Sequence, residues 1–202
     1  MPAEDRGGGK VSRLPFTRQE ADRIAALAPR ESVLKVTDFD ASLDNVTASS
    51  LGDYRMIHFA THGLLNTRTP QLSGLVFSLV DRRGRAKDGF LRLSDVERLR
   101  LNADLVVLSG CETALGRTVD GEGIIGLTRG FVVAGARRVV ASLWKVDDLA
   151  TAEMMQRFYT GMLVRHLPPA AALRSAQRQM AASARWGAPY YWAGFVIQGE
   201  WR

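Results

Sequence analysis

A chain of 202 residues that is 46% apolar and 24% charged has the balance of a folded globular protein and the length for one sizeable core. It holds no uninterrupted apolar run of the ~18 residues that a membrane-spanning helix needs, and Met1 to Lys10 lacks the apolar centre of a secretory signal. A single cysteine excludes an internal disulfide framework and fits a reducing, cytoplasmic setting. The net charge of +6 comes from arginines interspersed with acids, as over residues 81–88, and not from a basic stripe with stacking aromatics, so no nucleic acid is required as partner and no membrane is expected.

In chain order, strand-like and helix-like patterns alternate after a flexible lead-in over residues 1–13, which predicts one α/β domain over 14–202 with a largely parallel sheet. Thr17-Arg18-Gln19-Glu20 has capping-box spacing and opens a helix through Ala28, closed by Pro29. A short strand is predicted from Ser32 to Val36, then a helix capped near Asp40 or Ser42 and running to about Leu51. A strand from about Tyr54 carries His58 and His62. Gly74 to Val80 and Gly89 to Leu93 read as strands around the polar turn 81–88, and Ser94 to Glu97 begins a short helix that feeds the strand before Cys111. Gly121 to Ala136 reads as a helix and Arg137 to Leu143 as a buried strand. Asp147 or Asp148 caps a long helix to about Leu163, with Met154, Met155, Phe158 and Met162 inward. Pro168 and Pro169 start the last helix, and Tyr191 to Ile197 closes the sheet.

Two of these apolar runs end on residues able to do chemistry. Met56 to Gly63 and Leu105 to Cys111 each read as a buried strand followed by small or polar residues. Reactive groups collect beyond the carboxyl ends of parallel strands. Parallel neighbours would therefore bring His62 and Cys111 together although they stand about 50 residues apart. A thiol near its ordinary pKa is only a few per cent thiolate at neutral pH, so a histidine that takes its proton is the economical activator. Strand alternation puts His58 on the face of His62 but deeper, as a hydrogen-bonded core histidine, and His166 reads as a helix C-terminal group. A glycine amide, that of Gly63, can approach a developing oxyanion without a side chain in the way. Against this stands a buried structural cysteine, since free cysteine is among the most buried residue types.

Two other motifs compete. Gly121-Glu122-Gly123-Ile124-Ile125-Gly126 matches a dinucleotide fingerprint, but a polar loop precedes it where that fingerprint needs a strand. Cys111 and Arg117 have the spacing of a cysteine phosphatase loop, yet Glu112 beside the nucleophile would repel a phosphate dianion and the loop holds one glycine. That phosphatase reading is the remote alternative.

His58-Phe59-Ala60-Thr61-His62-Gly63 and Val107 to Gly116 resemble the two signature blocks of the CHAT domain family, caspase-like cysteine peptidases often attached to TPR repeats. Similarity continues through Gly121-Glu122-Gly123, Val140 to Asp148, Phe158-Tyr159, Ala171-Ala172-Leu173 and Tyr190 to Phe195, over roughly residues 14–200. The resemblance implies a three-layer α/β/α caspase–hemoglobinase-like fold, with the N-terminal part of the family fold missing. It implies a cysteine endopeptidase with a His62–Cys111 dyad, a thioester acyl-enzyme and an oxyanion hole from the amides of Gly63 and Cys111. It requires no cofactor or metal and acts on a polypeptide substrate under a TPR-type or other sensor partner. By analogy Ser109, Ser142, Trp144 and Asp147 are candidates for the substrate pocket, with a helix N-cap the competing role for Asp147. Gly110 stands where the family usually has alanine. The alternative function is an inactive CHAT-like interaction module.

Overall fold

The computed structural model describes residues 14–48, 50–66, 69–110 and 122–200. The expected lead-in over residues 1–13, and Cys111 with the loop that contains Arg117, lie outside them. The first helix, α1 (Thr17–Ala25), starts where the sequence predicts, but not as a capping box: Phe16 is the N-cap, and Thr17 Oγ1 donates to the Leu14 carbonyl at 3.0 Å. Glu20 turns inward and is 1% exposed. The predicted strand over 32–36 joins no ladder with the other described residues. Val33 is extended, but residues 33–37 join no ladder, and Leu34 and Val36 remain exposed. Extended dihedrals alone do not make a strand without a neighbouring edge for their amides.

Ser42 accepts from the Asn45 amide at 3.3 Å and starts α2 (Leu43–Ala48). The histidine-bearing run then forms two strands and not one: β1 (Met56–Phe59) and, after a bend at Ala60 and Thr61, β2 (His62–Leu64). β2 pairs antiparallel with β3 (Gly74–Val76), which pairs with β4 (Phe90–Arg92), giving a three-stranded sheet absent from the sequence expectation. The short helix α3 (Leu93–Val96) follows, with Asp95 accepting from the Arg92 amide at 3.1 Å.

The main sheet joins β1 to β5 (Leu105–Leu108), β6 (Arg138–Ser142) and β7 (Phe195–Gly199) in the order β1-β5-β6-β7, with the first three parallel and β7 antiparallel. β5 is buried at every position, as its unbroken apolar run requires of a strand covered on both faces. On one face, α4 (Glu122–Val133) packs Ile124, Leu127 and Phe131 against Ile57, Phe59, Val106, Leu108 and Val139. On the other, α5 (Asp148–Tyr159) and α6 (Pro169–Ala181) pack Met154, Met155, Phe158, Leu173 and Met180 against Leu105, Val107 and Val140, with α1 against α5. The result is a layered α/β fold of caspase-like type. Past α5, a π-helical turn over Thr160–Val164 ends at His166, whose φ of 55° gives the left-handed stop that terminates helices, so this histidine has a structural role. Among the described residues, no helix is long and apolar enough to cross a membrane.

Candidate active site

The parallel pairing of β1 with β5 sets His58 opposite Val107 and Phe59 opposite Leu108. Register continues past the strand ends: the Ser109 amide donates to the Phe59 carbonyl at 3.1 Å, and the Gly63 amide to the Gly110 carbonyl at 3.4 Å. Gly110 has no room for a side chain, because a Cβ there would stand 2.4 Å from the Thr61 carbonyl oxygen. Thr61 Oγ1 in turn donates to the Val76 carbonyl, which fixes the bend where the chain leaves one sheet for the other. The two strand ends are thus locked side by side, with His62 and Gly63 on one and Ser109 and Gly110 on the other. Cys111 is next in sequence, outside the described residues.

His62 opens β2 and is 6% exposed. The bend removes it from the strand of His58, so the two histidines do not share one strand face, contrary to the alternation expected from a single run. His62 lies near Asp148, whose carboxyl is raised above its usual range chiefly by burial. The Phe16 amide donating to its Oδ2 at 2.9 Å, and the charge of His62, pull the other way, while Glu20 and Asp147 push it up. His58 is the core histidine that the sequence reading expects. Its Nε2 is 2.8 Å from Glu20 Oε1 and 3.2 Å from Ser109 Oγ, and its Nδ1 is 3.1 Å from the Tyr159 hydroxyl. A narrow crevice of about 30 Å³ beside these groups is lined by Leu14, Glu20, Ser109, Gly110, Lys145 and Asp148, among others.

The model of the CHAT domain matches residues 2–200. The chain belongs to the CHAT domain family. Among curated proteins, this CHAT chain is similar to tetratricopeptide repeat protein 28 of Mus musculus, 38% identical over 110 residues that make up 54% of the chain and 4% of that protein. It is also similar to the protein of the same name from Homo sapiens, 37% identical over 110 residues with the same shares. The chain therefore spans only a small part of the length of these relatives.

The CHAT domain places the four candidate pocket residues in different settings. Ser109 is 1% exposed and faces His58. Ser142, at the end of β6, is fully buried and donates to the Trp144 carbonyl at 2.7 Å, and Gly194 lies so close that a Cβ there would come within 2.8 Å of both Ser142 Oγ and the Trp144 ring. Trp144 Nε1 donates to the Tyr190 carbonyl at 2.9 Å and keeps its ring partly exposed. Asp147 accepts from the Ala150 amide at 2.9 Å, so its carboxylate is engaged as the N-cap of α5, the role that competed with substrate binding. Among the described residues, the strand before α4 (Glu122–Val133) is β5, which ends at Leu108, and the residues directly before the dinucleotide fingerprint lie outside those described.

Sequence reasoning did not single out Glu20, Asp148 or Tyr159 as parts of this site. The only local signal at Glu20 was capping-box spacing, which explains a glutamate there by its own helix. Its true partner is on β1, 38 positions away. Asp148 was visible only as an alternative cap.

Proposed function

We propose that this CHAT domain is a cysteine endopeptidase that cleaves peptide bonds through His62 and Cys111. The observation that carries the reading is the locked pairing of the ends of β1 and β5, which holds Gly63 against Gly110, the residue before Cys111. In this mechanism His62 takes the Cys111 thiol proton and the resulting thiolate attacks the scissile carbonyl carbon. The resulting oxyanion takes the Gly63 and Cys111 amides, and the Gly63 N–H exchanges its long 3.4 Å bond to the Gly110 carbonyl for the stronger charged acceptor. Collapse to the thioester expels the amine, which His62 protonates. Water then attacks the thioester as His62 takes its proton, the C–S bond breaks to release the acid product, and His62 returns that proton to the leaving sulfur, restoring the thiol.

The substrate is a polypeptide; of the four candidate pocket residues, the partly exposed Trp144 is the one open to its side chain before the cut, Ser109 and Ser142 being buried and Asp147 engaged as the cap of α5. Control by a tetratricopeptide-type sensor, fused or separate, draws support from the names of the relatives. A cytoplasmic setting rests on the lone cysteine. One observation favours the second reading, an interaction module without turnover: the Gly63 amide is already engaged by the Gly110 carbonyl.

An acyloxymethyl-ketone peptide probe tests the proposal. Wild type is expected to be labelled at Cys111, Cys111→Ala not at all, and His62→Ala at least about 100-fold more slowly. Equal labelling of wild type and His62→Ala would favour the inactive module. Hydrolysis of an aryl phosphate that depends on Arg117 would instead favour a phosphatase.

A further inference from the structure

Behind the end of β5 lies a buried polar group that the proposed dyad does not use. Glu20 on α1 is 1% exposed, a costly place for a carboxylate unless it is paired. Its partner His58 is fixed from both sides of the ring. Tyr159 is 2% exposed, and burial, reinforced by the charge of Glu20, keeps its hydroxyl protonated far beyond the ordinary range. That hydroxyl is hydrogen-bonded to His58 Nδ1 at 3.1 Å, and His58 Nε2 stands between Glu20 Oε1 at 2.8 Å and Ser109 Oγ at 3.2 Å. Helices α1 and α5 and strands β1 and β5 therefore converge on one imidazole, and the imidazole touches the residue two positions before Cys111.

We propose that Glu20 is a positioning residue that acts through His58 on Ser109, so that the seating of α1 sets the reactivity of Cys111; this rests on the peptidase reading. Stability alone gives little reason for such an array, because a well-packed apolar set usually serves a core as well as a buried ion pair or better. Its geometry has direction: Glu20 on α1 and Tyr159 on α5 both hold His58, and, among the described residues, the remaining polar contact of that ring is Ser109, just past the end of β5. The same helix is clasped a second time at the site, where the Phe16 amide donates to Asp148 at 2.9 Å. Along its length it is held by Arg23 and Glu153, 3.4 Å apart. Displacing α1 by its N-terminal end withdraws Glu20 and Phe16 together, which takes a partner from both His58 and Asp148.

Cys111 is the single cysteine of the chain, so its alkylation by iodoacetamide reads its reactivity without a known substrate. Rates are compared at a temperature where circular dichroism shows every variant folded. Glu20→Ala is expected to slow alkylation about 10-fold, the order of effect that small misplacement of a reacting group produces. Glu20→Gln, whose amide oxygen still accepts from His58, is expected to return the rate to within about 3-fold of wild type. If Glu20→Ala does not fold, Tyr159→Phe replaces it, and the same slowing is expected. A folded Glu20→Ala or Tyr159→Phe with the wild-type rate, or a Glu20→Gln as slow as Glu20→Ala, would overturn the positioning role. If His62→Ala is slow in the same series, the peptidase reading survives that result. Equal rates in wild type and His62→Ala would overturn the peptidase reading and this inference with it.

Discussion

Gly110 is where the fold leaves least freedom. The backbone of Thr61, and not a movable side chain, occupies the space a Cβ would need, at 2.4 Å from its oxygen and 2.9 Å from its carbonyl carbon. Gly110→Ala is therefore expected to force the two strand ends apart and to cost about 1–3 kcal/mol in urea denaturation. Asp148 gives a prediction of a different kind. Its carboxyl is raised above the unfolded value, mainly by burial, so the folded state binds more protons and loses stability as pH rises from the unfolded pKa through the folded one. Asp148→Asn keeps an oxygen for the Phe16 amide and removes the charge. Its melting temperature is expected to exceed that of wild type at pH 7 and to match it below about pH 3.5. At this scale the sequence spoke clearly where chemistry and placement coincided, as at His58 and Asp147. It misled at Glu20, where a local motif explained a residue whose partner is distant.

Elements were legible in proportion to how much of their environment they carry within themselves. The fully buried β5 and the long α5 announce themselves by an unbroken apolar run and an inward methionine face, and the parallel pairing of β1 with β5 follows from their α/β setting. The break between β1 and β2 was not legible, because Ile57 to Gly63 reads on as one strand, and the turn is held by contacts with a distant segment: the Thr61 bond to Val76 and the pairing of β2 with β3. Residues 32–36 failed for the opposite reason: they have strand composition and, among the described residues, no neighbouring edge. The cap of α5 offers a direct check at this scale. Asp147→Ala is expected to destabilise the protein by about 1 kcal/mol in urea denaturation, with Asp147→Ser recovering most of the loss. On the opposite face of the sheet, Phe131→Ala on α4 is expected to cost about 3–5 kcal/mol, since Phe131 is fully buried against Phe59.

For the whole molecule, the decisive arrangement is the meeting of two sheets at one point. The parallel sheet delivers the end of β5, the small antiparallel sheet delivers His62 and Gly63, and the Thr61 bend with the Gly110 approach joins them. Helices α1 and α5 then bring Glu20, Tyr159 and Asp148 to the same place from one side. A layered α/β fold with a candidate site at strand ends was readable from alternating elements and buried runs, whereas the second sheet and the polar array behind the site depend on contacts between distant segments. The claim that these parts serve peptide-bond cleavage is met most directly by incubating the chain with a diverse peptide library and reading products by mass spectrometry, beside Cys111→Ala and His62→Ala. The expected result is new peptide termini with wild type, none above background with Cys111→Ala, and at least about 100-fold slower appearance with His62→Ala. Termini that appear equally with wild type and Cys111→Ala, or no cleavage by wild type at all, would contradict it.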